Sequence, residues 1–366
     1  MIYKIFDVTL MEYERSLLKI QFFWNMGNAK LIFERVIARF LICMLIAVII
    51  VSCSTKKELK VGFLLPNLIQ KRYLKEKDLF TQKIKDLGGS VIILSADNDD
   101  NLQVQQAKEI IGQGVSVLVV NSVNANTAAA IVRIAHLKNV QVIAYDRLIS
   151  NCDLDYFLSF DNEKVGELMA EYVTKIKPEG KYILLGGDKA DQNAIWVKNG
   201  QLKTLEPFLK AGKISIVYNT FIENWSGENA KHEINKYLDL SQDIPDVILS
   251  SYDGMSTPVI DLLTEYSLNK EVLVTGQDAE LDACRNIVKG NQVMTIYKSL
   301  KDLAYKAAEM SIKITKGEKL NDASVIINNG RVNVTSVLLK PVIVDKDNIK
   351  SIIVGDGFFT EDEINN

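Results

Sequence analysis

Apolar and polar positions along the chain form two kinds of block that follow each other in turn. Short continuous runs of Val, Ile and Leu, such as 58–65 and 115–123, precede longer segments in which apolar residues recur at helical spacing, as in 72–88. Ten such runs occur between 58 and 298. Continuous apolar runs indicate strands that are buried on both faces, and their alternation with helices indicates parallel sheets built from βαβ units.

Two α/β architectures accept this pattern, a closed eight-stranded barrel with extra elements or two doubly wound lobes of about five strands each. The segment 324–349 departs from the alternation, because it consists of strand-like runs with an Asn-Gly turn signal at 329–330. A tail that returns to complete both halves favours the two lobes.

The N-terminal segment predicts a leader and not part of the fold. Residues 40–51 are twelve apolar residues without a break, preceded by basic residues at 30, 35 and 39, and the run is followed by Ser52 and Cys53. This order is typical of a secretory signal, and the small residue before Cys53 resembles the lipobox of bacterial lipoproteins. We expect a leader over 1–52 and a lipid on the Cys53 thiol. The alternative is an uncleaved anchor helix starting near Ile32, and both place the rest of the chain outside the cytoplasm, tethered to the membrane.

Composition excludes several classes of function. The net charge is −3, from 43 basic and 46 acidic residues, and no basic stripe indicates a nucleic-acid partner. The two histidines, His136 and His232, are far apart in the chain, and no metal-binding or phosphate-binding motif occurs, so we expect neither a metal nor a cofactor. Outside the leader, Cys152 and Cys284 remain, and we expect them to be unpaired thiols, because a large core needs no disulfide.

Polar and aromatic side chains follow the predicted strands at the points where the apolar runs end. Parallel sheets deliver such residues to a cleft at the carboxyl ends of their strands. Taken singly, each Asp could be a helix N-cap or part of a surface turn. Together they combine planar acceptors, forked donors and flat rings, which suit the hydroxyls and C–H faces of a neutral sugar. The candidate ligand residues are Arg72, Tyr73, Asp146, Arg147, Asp191, Asn193, Trp225, Asp253, Asp278 and Lys298.

Several of these residues lie in segments that carry a family resemblance. "AYDRLISNCDLDYFLSFDNEKVGEL", "GQDAEL", "MTIYK" and "INNG" resemble the periplasmic sugar-binding proteins of bacterial ABC transporters, and among them the D-xylose-binding proteins. The resemblance covers about 58–359. It implies a type I periplasmic-binding-protein fold, with two α/β lobes joined by a three-segment hinge and a sugar in the cleft. We expect an N-terminal lobe from 58–162 plus 295–332 and a C-terminal lobe from 163–294 plus 333–361.

The resemblance also assigns roles to individual residues. It places Tyr73 and Trp225 as two aromatics that sandwich a pyranose ring. The sequence departs from the family at Tyr73, where a tryptophan is usual, and at Tyr252, where an expected amide is lost. The polar sugar contacts that it implies are Arg72, Asp146, Arg147, Asp191, Asn193, Asp278 and Lys298.

The function we expect is a lipid-anchored receptor for a monosaccharide, with a pentose favoured, that delivers sugar to an ABC permease by hinge closure. The alternative partner is a membrane sensor kinase to which the protein reports the sugar, since both partners read lobe closure. A glycosidase that uses Asp253 and Asp278 is a third hypothesis, which the tail and the resemblance oppose. A cytoplasmic repressor is excluded by the signal-like N-terminus.

Overall fold

A computed structural model of the chain describes residues 59–366 except 70, 242, 322 and 324, together with 14–19, 21, 22, 24, 26, 35 and 37–40. Cys53 and the apolar run beyond Phe40 lie outside the described residues, and so does the predicted cleavage point. Among the helices that the structure describes, none has both the length and the apolar character needed to cross a membrane. Residues 59–366 form one compact unit, which contains every feature described below.

Strands and helices alternate through most of this unit. The strands are β1 (Lys60–Leu65), β2 (Ser90–Ser95), β3 (Val117–Val120), β4 (Gln141–Tyr145), β5 (Tyr156–Phe160), β6 (Gly180–Gly186), β7 (Ile214–Phe221), β8 (Val247–Ser250), β9 (Leu273–Val274), β10 (Thr295–Tyr297), β11 (Val325–Asn328), β12 (Asn333–Leu339) and β13 (Val342–Val344). The helices are α1 (Lys71–Asp86), α2 (Asp100–Gly112), α3 (Ala129–His136), α4 (Asn162–Ile176), α5 (Gln192–Lys210), α6 (Gly227–Ser241), α7 (Asp253–Glu265), α8 (Leu281–Lys289), α9 (Leu300–Thr315) and α10 (Glu361–Asn365).

The first lobe is built on a seven-stranded sheet with the order β11-β12-β5-β4-β3-β1-β2. Its strands pair in parallel except β11, which runs antiparallel to β12. Apolar side chains cover both faces, with α2 and α3 packed on one and α1 and α9 on the other. Burial on both faces is what the continuous apolar runs predict, and all four residues of β3 are buried.

The second lobe is built on a four-stranded parallel sheet with the order β7-β6-β8-β9. Helices α6 and α7 cover one face, and α4 and α5 cover the other. The antiparallel pair β10 and β13 adjoins this sheet through a bridge between Gln277 and Ile296. Two parallel sheets of this kind confirm the α/β class and exclude the closed barrel.

The chain passes between the lobes three times, and two of these crossings differ from the predicted boundaries. The first lies after Phe160, close to the predicted position. Strand β10 pairs with the second lobe and not the first, whereas β12 pairs with β5 in the first lobe and not the second. The crossings therefore fall between β10 and α9 and between β12 and β13. Short apolar runs look alike in either sheet, because only long-range pairing decides which sheet they join.

Two glycines bring α4 and α5 unusually close together. A Cβ on Gly166 would lie 1.9 Å from the carbonyl oxygen of Val197, and a Cβ on Gly200 would lie 2.0 Å from that of Glu163. Only glycine permits this approach of two helix backbones. The contact holds α5 against α4, and the N-cap and first turn of α5 carry two of the predicted ligand residues.

The two cysteines expected to be free are free in the structure. Cys152 and Cys284 are both buried and unpaired. Burial raises the pKa of the Cys152 thiol to about 11, so this thiol is protonated and unreactive at neutral pH.

Candidate functional site

A cavity of about 320 Å³ lies at the carboxyl ends of the strands of both sheets, where the lobes meet. Nine of the ten predicted ligand residues line it, and five further residues complete its wall. The predicted residues are Arg72, Tyr73, Asp146, Arg147, Asp191, Asn193, Trp225, Asp278 and Lys298. The further residues are Asn224, Gly227, Tyr252, Gly254 and Gln277.

Arg72 occupies the centre of a charged cluster in the first lobe. It lies in the first turn of α1, and its Nη2 donates to Glu76 Oε1 at 2.9 Å and to Asp146 Oδ2 at 3.1 Å. Its Nη1 reaches across to Asp278 Oδ2 at 3.7 Å, in the second lobe. Burial disfavours the charged guanidinium, but the carboxylates of Glu76 and Asp146 outweigh burial and raise the pKa of Arg72. The guanidinium is therefore a fixed cation.

Asp146 directly follows β4 and has a left-handed conformation, with φ at 65°. Its backbone N–H donates to Leu158 O at 2.8 Å, and its carbonyl accepts from Ser159 Oγ at 2.9 Å. These bonds hold the turn that directs the carboxylate towards Arg72. Burial alone would raise the pKa of Asp146, but Arg72 and Lys298 together hold it below its ordinary value, so the group is ionised.

Asp191 and Asn193 enter the cavity from the start of α5. Asp191 is the N-cap of this helix and accepts from the Asn193 backbone N–H at 2.9 Å, while its Oδ2 lies 3.4 Å from Arg147 Nε. The Asn193 Nδ2 donates to the carbonyl of Asp146 at 3.0 Å. Asp191 is thus both a helix cap and a cavity residue, and each of these two residues contacts the first lobe.

Asp278 and Lys298 lie in the segments that follow β9 and β10 in the second lobe. Asp278 follows β9 with φ at 89°, and Lys298 follows β10. The Lys298 Nζ lies 2.9 Å from Asp278 Oδ1. A non-glycine residue with such a φ is strained, and strain of this kind is held in place by surrounding contacts at functional sites.

The two predicted aromatics both line the cavity, one from each lobe. Trp225 ends a short 3₁₀ turn, Glu223–Trp225, and packs edge to face on Tyr252 with ring centroids 6.1 Å apart. A Cβ on Gly187 would lie 2.1 Å from the Trp225 ring, so only glycine leaves room for the indole. Tyr73 is buried, and the Arg72 guanidinium lies 5.3 Å from its ring centroid.

Asp253 is the exception among the predicted residues, because it is buried away from the cavity. Its carboxylate accepts from Gln292 Nε2 and Thr295 Oγ1, both at 2.8 Å, and from the Glu280 backbone N–H at 3.0 Å. Asp253, which the sequence predicts as a ligand residue, is therefore not among the residues that line this cavity. Asp253 is the first residue of α7, and its carboxylate is bound by Thr295 of β10 and by Gln292, which lies just before that strand.

The residues that the sequence interpretation missed are neighbours of residues that it found. Asn224, Tyr252 and Gln277 each precede a predicted residue by one position. Tyr252 was interpreted as the loss of an amide contact, yet its ring lines the cavity and its Oη donates to Glu280 Oε1 at 2.5 Å. Their positions near the ends of apolar runs indicated that these segments reach the cleft. The hydrophobic pattern does not decide which of two consecutive side chains faces it.

No group of three or more His, Cys, Asp and Glu residues could hold a metal ion within the part of the chain that the structure describes. The arrangement can instead hold a small polar molecule between donors and acceptors that are already fixed.

A cavity between two parallel α/β lobes, lined by polar groups from both, defines a two-lobed ligand-binding protein. The model of the periplasmic binding protein domain matches residues 61–319. The chain belongs to the periplasmic binding protein family. The proteins it is similar to bind sugars for transport and are not enzymes, which agrees with the prediction from the sequence.

Three similar proteins illustrate this membership. The chain is 38% identical to a D-xylose-binding periplasmic protein of Haemophilus influenzae, over 86% of this chain and 94% of that one. It is 37% identical to the D-xylose-binding periplasmic protein of Escherichia coli, over 84% and 93% of the two chains. The crystal structure of an ABC transporter solute binding protein from Clostridium phytofermentans, with bound β-D-glucose, has a TM-score of 0.75 at 28% identity. The match covers 83% of this chain and 99% of that chain.

Proposed function

We propose that this protein is an extracytoplasmic receptor for a monosaccharide, with D-xylose or a similar aldopentose favoured, and that it delivers the sugar to an ABC importer. The observation that carries the proposal is the cavity itself, which both lobes enclose with fixed polar groups. Its volume, about 320 Å³, lies at the lower end of the range for small-molecule pockets and suits a single sugar ring.

The charges in the cavity favour a neutral ligand. Three cations and three carboxylates line it, and they pair with one another across distances of 2.9 to 3.7 Å. A ligand with a net charge would leave one member of these pairs uncompensated in a buried site. A polyhydroxyl ligand adds hydrogen bonds without changing the balance. The cations are Arg72, Arg147 and Lys298, and the carboxylates are Asp146, Asp191 and Asp278.

Contacts across the cleft suggest how binding biases lobe closure. Arg72 faces Asp278, Arg147 faces Asp191, and Asn193 donates to the backbone of Asp146. Each pair joins the first lobe to the second. A sugar that contacts both sides strengthens the joined arrangement, and its binding free energy shifts the hinge towards closure.

The names of similar proteins support the ligand and the transport role. The relatives from Haemophilus influenzae and Escherichia coli are D-xylose-binding periplasmic proteins, and the Clostridium phytofermentans protein is an ABC transporter solute binding protein that holds β-D-glucose. D-xylose or a similar pentose is favoured here because the two relatives at 37–38% identity are D-xylose-binding proteins.

The ligand is tested by isothermal titration calorimetry of the purified protein with D-xylose, D-ribose, L-arabinose, D-glucose and D-galactose. We expect at least one aldopentose to bind with micromolar affinity, about −8 kcal/mol. Absence of heat with all five sugars would contradict the proposal.

The anchor and the partner are tested in cells. Cys53→Ser should move the protein from the membrane fraction to the soluble extracytoplasmic fraction, because the thiol is the expected lipid attachment point. Deletion of the gene should abolish uptake of the radiolabelled sugar. Normal uptake combined with loss of sugar-induced transcription would instead indicate a receptor for a sensor kinase.

A further inference from the structure

Tyr252 and Glu280 form a hydrogen-bonded pair at the wall of the cavity. The Tyr252 Oη donates to Glu280 Oε1 at 2.5 Å. Tyr252 lines the cavity, whereas Glu280 is not among the described residues that line it. Burial and the neighbouring Glu280 carboxylate raise the pKa of Tyr252, so the phenol keeps its proton and is the donor in this bond.

The side chain of Glu280 does not serve the helix that it precedes. Glu280 is the N-cap residue of α8, a position from which a side chain often accepts a hydrogen bond from the first turn of the helix. The Glu280 side chain makes no such capping bond and is bound to Tyr252 instead. The bond to the phenol is therefore the contact that a substitution of this carboxyl group removes.

A second contact fixes the ring of Tyr252. A Cβ on Gly254 would lie 2.4 Å from Tyr252 Cε1, so only glycine lets the ring lie this close to the first turn of α7. The hydroxyl of the same ring is held by the residue that precedes α8. Two helices of the second lobe thus hold the Tyr252 ring, one at its edge and the other at its hydroxyl.

The Tyr252 ring in turn supports the indole of Trp225. The two ring planes are nearly perpendicular, at 87°, and their centroids lie 6.1 Å apart, which is a favoured geometry for aromatic pairs. Trp225 has a φ of 54°, a backbone conformation that a non-glycine residue keeps only where surrounding contacts fix it. Gly187 and Tyr252 are two such contacts of the indole, and a displacement of Tyr252 removes one of them.

We propose that Glu280 is a positioning residue of the sugar site, which holds Tyr252 and, through Tyr252, keeps the Trp225 indole in the orientation on which a sugar ring stacks. The proposal rests on the proposed function, since a sugar is the ligand that uses this indole. Glu280 itself does not contact the sugar. Tyr252 is a position at which the sequence departs from the family, and in this chain it links a carboxyl group outside the cavity to the aromatic surface inside it.

The first test compares two substitutions of Glu280 by calorimetry with the sugar that wild type binds most tightly. Glu280→Leu has a similar size but no acceptor, and it should weaken binding about threefold to tenfold, the range that one net hydrogen bond is worth. Glu280→Gln keeps an acceptor at the same reach and should recover most of this loss. Binding of Glu280→Leu within twofold of wild type overturns the proposal.

A double-mutant cycle separates positioning from a general loss of stability. Tyr252→Phe removes the hydroxyl and should weaken binding to a similar extent as Glu280→Leu. Glu280→Leu added to Tyr252→Phe should cost less than a further twofold, because the bond is already absent. Additive effects of the two substitutions overturn an action through Tyr252. Wild-type affinity in Tyr252→Phe also overturns the proposal, so a Glu280 variant that fails to fold does not prevent the test.

The spectrum of Trp225 shows whether the indole loses its fixed orientation. Trp196→Phe leaves Trp225 as the one tryptophan of the sequence beyond the predicted leader. Near-ultraviolet circular dichroism of this protein without sugar then reports the setting of its indole. Adding Glu280→Leu should weaken the tryptophan band. An unchanged band in the folded protein, with only a lower unfolding midpoint, would show a merely structural role and overturn the proposal.

Glu233 offers a matched control in the same lobe. Its carboxylate accepts from the Tyr218 Oη, and Tyr218 packs on Tyr237 with ring centroids 5.7 Å apart. None of these three residues lines the cavity. Glu233→Leu should lower the unfolding midpoint and leave sugar affinity within twofold of wild type. An equal loss of affinity in Glu233→Leu and Glu280→Leu overturns the positioning role.

Failure of the proposed function is a separate outcome. Wild-type protein that binds none of the sugars overturns the proposed function. The tryptophan band of the Trp196→Phe protein, with and without Glu280→Leu, still decides whether Glu280 positions the indole.

Discussion

Replacement of Trp225 by alanine gives the sharpest quantitative prediction for the site. Trp225 lines the cavity between the lobes, and the position of its indole is set by Gly187 behind it and by the edge of Tyr252. A ring that is held before binding loses little conformational entropy when a sugar stacks on it. Its removal therefore takes away stacking energy without a compensating gain in freedom.

The expected loss can be worked out from the area of one ring face. An aromatic side chain buries roughly 150–250 Å² in all, so one face contributes about 80 Å². At about 25 cal/mol per Å², this area is worth about 2 kcal/mol. Since 1.4 kcal/mol is about tenfold in affinity, Trp225→Ala should weaken sugar binding about 30-fold, and at least tenfold.

The assay is isothermal titration calorimetry with the sugar that binds wild type most tightly. Trp225→Phe is the matched variant, because it keeps a flat ring, and its affinity should fall between those of wild type and Trp225→Ala. Thermal unfolding of both variants checks that the fold is intact. Binding of Trp225→Ala within twofold of wild type, with normal unfolding, would refute the stacking role.

Three further predictions concern carboxylates in different environments. Asp278→Asn keeps the shape of the side chain but loses the charge that faces Lys298 and Arg72, so it should weaken sugar binding at least tenfold by calorimetry, whereas the exposed Asp282→Asn should change it less than twofold. Burial raises the pKa of Glu76 from 4.5 to about 7, against the opposing effect of its Arg72 partner. The folded state thus binds this proton more tightly, and the resulting stability is fully present below about pH 4.5 and lost as the pH rises through about 7. Glu76→Gln should remove this decline, which is worth at most about 3 kcal/mol, in urea unfolding at pH 5 and pH 8. Asp253→Ala should lower the free energy of unfolding by about 2–4 kcal/mol, because three donors lose their acceptor, while sugar affinity of the folded protein stays within twofold.

Each of these predictions has an outcome that opposes it. Equal effects of the Asp278 and Asp282 variants would mean that charge at the cavity does not matter. A pH dependence of stability that Glu76→Gln leaves unchanged would assign the titration to another group. A large loss of affinity in Asp253→Ala, without a loss of stability, would return Asp253 to the ligand site.

Most of the site could be predicted from the sequence because parallel sheets deliver strand ends to one edge. Asp146, Asp278 and Lys298 follow apolar runs directly, and their meeting in one cavity follows from that topology. Trp225 and Arg72 do not follow from the topology. The family resemblance supplied their roles, and the structure places both in the cavity.

The parts that could not be predicted depend on long-range contacts. Asp253 has the same strand-end position as Asp278, but Gln292 and Thr295 supply donors that draw its carboxylate inward. The sheet that each of β10 and β12 joins is likewise decided by partners distant in sequence.

The central claim is that one sugar is held jointly by both lobes. Hydrogen–deuterium exchange of the purified protein, with and without a saturating concentration of the sugar found by calorimetry, tests it directly. We predict slower amide exchange in the presence of sugar both at 145–147 in the first lobe and at 276–280 in the second. Protection confined to one of these segments, or absent from both at saturation, would contradict the account.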